Sequence, residues 1–118
     1  MKRRTRTVSL SHGAPSMSDD ALALEFAEAN KTYVRLSQTT GSWMIWDGSR
    51  WRPDRSIARE AIRRLCRKAA AEAEADVQAV RLASAAKVMA VETLARSDTR
   101  LLVDETQWDA NPWLLNTQ

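Results

Sequence analysis

The feature that most constrains the fold is GSWMIWDGSRWRPD, residues 41–54, which places three of the five tryptophans within nine positions. Aromatic residues are favoured in strands, and Asp47-Gly48 supplies the positive φ angles of a tight hairpin turn. The pattern therefore predicts a small β-hairpin. Since an isolated hairpin is marginally stable in water, this one must pack against helices.

Strand alternation divides the aromatic rings between two faces of the hairpin. We expect Trp43, Ile45 and Trp51 to face the core. Trp46 has the opposite parity to Ile45 and is the candidate for exposure. Core filling is the favoured role for inward rings in so small a domain, whereas an exposed ring beside arginines also suits base stacking.

The segment before the hairpin, SDDALALEFAEANKTYVRL, predicts a helix. Ser18 suits the N-cap, and the two aspartates after it suit the positive end of the helix dipole. Apolar residues recur at helical spacing, which predicts a buried stripe. The stripe comprises Leu22, Phe26, Ala29 and Tyr33.

Two further helical patterns follow the hairpin, SIAREAIRRLCRKAAAEAEAD and VQAVRLASAAKVMAVETLARSD. The predicted apolar side of the first comprises Ala61, Ile62, Leu65, Ala69 and Ala73. The predicted narrow seam of the second comprises Val77, Val80, Ser84, Val88, Val91 and Ala95. The linking AEAEAD contains no glycine or proline, so a break near residues 72–77 and a single bent helix both remain open.

Strand character returns at Leu101–Val103 and at Trp113–Asn116, where the sequence ends inside what looks like a strand. We predict a mainly α (α+β) domain over residues 18–118, with a Trp-rich hairpin and short C-terminal strands. Residues 1–17, which are basic and lack a hydrophobic period, are predicted to be a flexible arm. The chain has no apolar run long enough to cross a membrane and no secretory signal, so a cytoplasmic location is expected.

The chain lacks the residue patterns of the common catalytic sites. Phosphate-cradling loops need several glycines, and this sequence has three, none in such a motif. His12 and Cys66 are the only histidine and cysteine, too few for a zinc site. We predict no catalytic residue, metal or cofactor, and a space-filling role for Cys66.

The most prominent charged feature is a basic segment between residues 50 and 68, with eight basic residues against two acidic ones. Such a face contacts phosphates or is simply solvated, and both interpretations stay open. The candidate nucleic-acid-binding residues are Arg50, Arg52, Arg59, Arg63, Arg64, Arg67 and Lys68, with Trp46 at one end.

Two motifs resemble a known family. One is W-x-x-W-D-G-x-x-W in the hairpin, and the other is D-x-x-P-W-L-L-N, which begins at Asp109. Together with the helical stretches between them, they resemble the N-terminal domain of phage and plasmid primase-helicases, related to the poxvirus primase-helicase. The resemblance covers residues 19–118 and implies a helical module that precedes a superfamily 3 helicase domain.

The resemblance implies a non-catalytic, helicase-associated domain with a coupling or DNA-binding role in replication initiation. Its expected partners are single- or double-stranded DNA, bound without sequence preference, and the helicase domain of the same protein. The alternative is a stand-alone inhibitor or decoy, derived from this domain by a mobile element, that binds a host nucleic-acid-processing complex. A membrane partner is not expected.

Overall fold

The computed structural model describes residues 16–104. Helices account for about 54% of this part, and the remaining elements form one mixed sheet, so the predicted α+β class is confirmed. The helices are α1 (Asp19–Asn30), α2 (Arg55–Glu72), α3 (Asp76–Leu82) and α4 (Ala85–Ala95). The strands are β1 (Val34–Ser37), β2 (Trp43–Trp46), β3 (Trp51–Pro53) and β4 (Leu102–Val103), in the sheet order β3-β2-β1-β4. Strand β1 runs antiparallel to β2 and parallel to β4.

Helix α1 starts where predicted but ends earlier. The Ser18 hydroxyl accepts a hydrogen bond from the Ala21 amide at 3.1 Å, which confirms the predicted cap. Leu22 and Phe26 are buried, whereas Ala29 is exposed and Tyr33 lies beyond the helix with 57% of its surface exposed. The last two members of the predicted stripe were therefore wrong.

The early end of α1 follows from sheet pairing, which the helical pattern did not reveal. The Tyr33 carbonyl accepts a hydrogen bond from the Trp46 amide at 2.8 Å, and Val34 pairs with Ile45. Aromatic and β-branched residues favour strands, and here long-range pairing outweighs the local helical spacing. The segment that starts at Val34 is thus an inner strand of the sheet.

The hairpin is confirmed, but the predicted core position of Trp51 was wrong. Trp43 and Ile45 are buried, as expected. Trp51 lies directly opposite Trp46, and their ring centroids are 5.6 Å apart. Directly paired residues share a face of the sheet, and this register pairs even positions of β2 with odd positions of β3. Trp51 therefore shares the outer face with half-buried Trp46.

The two helical segments after the hairpin form three helices. Helix α2 ends at Glu72, because Ala73 is extended with ψ at 144°. Of the two possibilities that the sequence left open near residues 72–77, the structure therefore shows a helix break rather than a single bent helix. A second break precedes α4, where the Ser84 hydroxyl accepts a hydrogen bond from the Lys87 amide at 3.1 Å. Serine favours such an N-cap over a helix interior, and the continuous seam predicted through it was wrong.

The breaks decide which predicted apolar positions reach the core. On α3, Val77 and Val80 are 65% and 72% exposed, contrary to the predicted seam. On α4, Val91 and Ala95 are buried as predicted. The predicted apolar side of α2 is confirmed, because Ile62 and Ala69 are buried and Ala61, Leu65 and Ala73 pack against the core in part.

The two ends of the sequence are described only in part. Strand β4 falls within the predicted Leu101–Val103 segment. The predicted strand Trp113–Asn116, and the basic arm up to residue 15, lie outside the described residues. Met17, the last residue of the predicted arm 1–17, packs half-buried against the core rather than extending freely. Cys66 is buried, which fits a space-filling role, and burial raises the pKa of its thiol.

Trp43 is the largest side chain in the core, with 1% of its surface exposed. Its ring meets Phe26 of α1 edge-on at a centroid distance of 5.7 Å. Its indole Nε1–H donates to Oε2 of Glu92 on α4 at 2.9 Å. Arg59 of α2 donates through Nε to the other oxygen at 2.8 Å. A buried carboxylate thus joins the sheet to two helices, and both contacts offset the cost of burying its charge.

We predict that Trp43→Ala destabilises the domain by about 3–5 kcal/mol, because it leaves a large cavity and removes a hydrogen bond to a buried carboxylate. Trp46→Ala, at a half-buried position on the outer face, should cost clearly less. Urea unfolding of the 118-residue chain followed by circular dichroism measures both. Similar losses for the two variants would show that Trp43 is not the anchor of the core.

The buried carboxylate also predicts a pH dependence. Burial raises the pKa of Glu92, but the hydrogen bonds from Trp43 and Arg59 outweigh it and hold the pKa below the ordinary 4.5. A carboxyl whose pKa falls on folding stabilises the fold above its unfolded pKa, and this contribution is lost as the pH drops through the folded value.

Wild type should therefore be more stable than Glu92→Gln at neutral pH, and the gap should narrow as the pH falls below 4.5. Urea midpoints of the two proteins from neutral pH to about pH 3 test this. The other carboxylates are common to both proteins and cancel in the comparison. Parallel curves over the whole range would contradict the role given to Glu92.

Candidate nucleic-acid interface

The predicted basic residues lie on two consecutive elements, the hairpin and α2. Arg50 belongs to the hairpin loop and Arg52 to β3, and α2 begins two residues after that strand. The α2 members are all exposed, and Arg59 to Lys68 extends about 14 Å along the helix at 1.5 Å per residue. The structure thus places the predicted set along one helix and the hairpin that precedes it.

Arg59 differs from the other basic residues of α2. Its Nε lies 2.8 Å from Glu92 Oε1, and that carboxylate has only 8% of its side-chain surface exposed. The ion pair fixes one edge of the guanidinium toward the core. Arg59 was predicted as a binding residue, but its geometry is that of a counter-ion for Glu92.

Three other arginines converge on the half-buried carboxylate of Glu60. Arg67 Nη2 lies 2.8 Å from Oε2 of Glu60, Arg64 Nε lies 3.6 Å from the same oxygen, and Arg63 Nη1 lies 3.3 Å from Oε1. The hydrogen bond from Arg67 is the main cause that lowers the pKa of Glu60, so this carboxylate is charged at neutral pH. We call Glu60, Arg63, Arg64 and Arg67 the arginine cluster.

The remaining basic residues are balanced unevenly. Lys68 Nζ lies 3.8 Å from Glu25 of α1, and Arg52 pairs with Asp54 at 3.1 Å. Within residues 16–104, Arg50 and Arg55 form no ion pair. Arg52 also lies 3.6 Å from Asp47, so Asp47 and Asp54 offset Arg50 and Arg52 around the hairpin. The cationic surface is therefore strongest at the arginine cluster.

Two aspartates in this region shape the backbone. Backbone hydrogen bonds from Ser49 and Arg50 lower the pKa of Asp47 and close the hairpin loop. Asp54 caps α2 by accepting from the Ile57 amide at 3.2 Å, and a hydrogen bond from Ser56 is the main cause that lowers its pKa. Both aspartates order the junction between hairpin and helix while reducing its net charge.

Strand β1 contributes a cation beside the hairpin tryptophans that sequence reasoning missed. The Arg35 guanidinium lies 5.6 Å from the centroid of the Trp51 ring, a cation–π distance, and Trp51 in turn contacts Trp46. Burial lowers the pKa of Arg35. This residue was assigned to a helix, and only the pairing of β1 with β2 brings it to the tryptophans. Strand-forming Tyr33-Val34 was the signal available in the sequence.

The described residues carry neither a metal site nor a membrane span. Between residues 16 and 104, no group of three or more His, Cys, Asp or Glu side chains is arranged to hold a metal ion. No helix in the same part is long and apolar enough to cross a bilayer.

Comparison with known proteins identifies the family. A family model described as D5 N terminal like matches residues 23–118, which include the hairpin, all of α2 and the arginine cluster. No curated protein and no solved structure matched the chain. The match spans most of the sequence, and the chain therefore belongs to the D5 N-terminal-like family, the N-terminal module of poxvirus D5-type primase-helicases.

Proposed function

We propose that this domain is a non-catalytic, helicase-associated module that binds the phosphate backbone of nucleic acid during replication. The observation that carries the proposal is the exposed basic side of α2, where Arg63, Arg64 and Arg67 are 57%, 76% and 52% exposed at the side chain. The family membership supports the link to replication, since such domains are typical of phage and viral primase-helicases.

The chemistry of this surface favours electrostatic binding without sequence preference. Arginine guanidinium groups bind phosphate oxygens, and each neutralised phosphate releases condensed counter-ions, so the affinity falls steeply with salt. Contacts from one exposed helix side to phosphates position the protein on the nucleic-acid backbone, but they do not distinguish one base from another. Arg50, Arg52 and Lys68 extend the contact at its two ends, and Trp46 is the candidate for stacking at the hairpin end.

We predict that Arg63→Gln/Arg67→Gln weakens binding of a fluorescein-labelled single-stranded oligonucleotide by roughly tenfold or more at low salt. The slope of log affinity against log salt should flatten by about 1.4, since two contacts of about 0.7 each are lost. Fluorescence anisotropy at several salt concentrations gives both quantities. Glutamine also favours helix, so circular dichroism should be unchanged.

The matched control is Lys31→Gln/Arg81→Gln, which removes the same net charge from exposed positions outside α2. It should change the affinity little. Equal losses in the two double variants would assign binding to overall charge and reject α2 as the interface.

A second candidate function, docking onto another protein, is favoured by one observation. Val77 and Val80 lie three positions apart on α3 and are 65% and 72% exposed, so they form an apolar patch on one helix side. The partner would be the helicase domain of the parent protein or, for a stand-alone inhibitor, a host nucleic-acid-processing complex. The two candidates use different surfaces and can be separated by mutation.

We predict that Val77→Ser/Val80→Ser reduces the affinity for a helicase domain encoded by the same reading frame by about tenfold or more, because apolar area is no longer buried. Oligonucleotide binding should persist in this variant, and Arg63→Gln/Arg67→Gln should show the reverse pattern. Calorimetric titration of the two chains measures the protein affinity. An unchanged titration in the valine variant would exclude α3 as the docking surface.

A further inference from the structure

We propose that Glu60 is a built-in competitor of the nucleic-acid phosphate: its carboxylate occupies the position among Arg63, Arg64 and Arg67 that one phosphate group takes on binding. The inference rests on the proposed function and adds to it the site of one phosphate and the residue that sets its affinity. The ligand class is a phosphodiester of a single-stranded nucleic acid.

The geometry of the arginine cluster is that of an oxyanion site. Both oxygens of Glu60 are engaged, Oε1 by Arg63 at 3.3 Å and Oε2 by Arg67 at 2.8 Å. Arg64 lies 3.6 Å from Oε2, at the edge of contact. Each guanidinium has five N–H donors, so the three groups together offer far more donors than the roughly four acceptor sites of one carboxylate. Three cations around one anion therefore leave both positive charge and free donors for a second anion.

The Glu60 carboxylate can also be displaced from its three arginine partners at low cost. Its side chain is 39% exposed, and those of its three partners are exposed by half or more. Exposed ion pairs of this kind are weak, because water and salt screen them. A phosphate can take over the guanidinium groups without opening the core.

The contrast with Glu92, the α4 carboxylate that pairs with Arg59 of the same basic helix, sharpens the assignment. The Glu92 side chain is 8% exposed and also accepts a hydrogen bond from Trp43. Breaking its ion pair with Arg59 would therefore leave a buried charge without a counter-ion. Glu60 has no such second role in the described part of the chain. One carboxylate thus holds the fold, and the other competes for the ligand.

The competition should persist at physiological pH. The Arg67 hydrogen bond and the nearby arginines lower the pKa of Glu60, so the carboxylate stays ionised well below neutral pH. Its effect on affinity is therefore a constant restraint rather than a pH switch. Only mutation of Glu60, or displacement of its carboxylate by the ligand, removes this competition.

The test compares Glu60→Gln with Glu72→Gln in the full 118-residue chain. Both changes remove one negative charge from α2, at half-buried Glu60 and at exposed Glu72. Glu72 lies twelve residues further on, about 18 Å along the helix. The main probe is a fluorescein-labelled oligothymidylate, and a fluorescent mononucleotide serves as an isolated phosphate. Circular dichroism confirms the fold, and Glu60→Ala provides a second variant.

Glu60→Gln should steepen the salt dependence of oligonucleotide binding by about 0.7, because one guanidinium charge that the carboxylate neutralises in wild type becomes available to the phosphates. If the variant and wild type bind equally at 1 M salt, this slope difference gives the variant roughly eightfold higher affinity at about 50 mM salt. Glu72→Gln should leave the slope unchanged. The gain should be larger for the oligonucleotide than for the mononucleotide, which lacks neighbouring phosphates.

Each other outcome has a defined meaning. Equal gains in Glu60→Gln and Glu72→Gln, or none in Glu60→Gln while wild type binds, would overturn the inference and leave the proposed function standing. A gain confined to the mononucleotide would overturn the phosphodiester as the ligand. Absence of oligonucleotide binding by wild type and by Glu60→Gln at low salt would overturn both proposals.

Discussion

The hydrogen bond from the Trp43 indole to Glu92 is the contact on which the rest of the structure depends. It carries a β2 side chain to α4 through the core, where a charged carboxylate is costly to bury unless every oxygen has a donor. Arg59 supplies the second donor, from α2. The Glu92 carboxylate therefore connects the sheet to two helices. Its two hydrogen bonds depend on each other, since removing any of the three residues leaves a buried polar group unsatisfied.

This arrangement divides the basic side of α2 into two parts with different roles. Arg59, in the second turn, faces Glu92 and belongs to the core network, whereas the arginine cluster in the turns that follow stays on the surface around Glu60. Sequence spacing treats these arginines as equivalent. The difference comes from Glu92, which lies 33 residues away in the chain and meets Arg59 only in the folded structure.

The same distinction explains which features were predictable from the sequence. The cap at Ser18, the hairpin and the apolar side of α2 rest on interactions within a few residues, which local patterns record. Strand β1, the face of Trp51 and the break at Ser84 depend on pairing register and on competition between elements. For the candidate site, the exposure of the basic residues and the helical spacing of Glu60 from Arg63 and Arg64 are features of the local sequence. The ion pairs with Glu25 and Glu92 required the fold.

The most direct test of the central role of Trp43 is the hydrogen exchange of its indole Nε1–H, followed by NMR with assignment by Trp43→Phe. A proton held between a buried ring and a buried carboxylate exchanges only when the whole domain unfolds. Its exchange free energy should therefore equal the free energy of unfolding from urea denaturation. An exchange free energy well below that value would show that the indole is released by local opening, and would contradict the account.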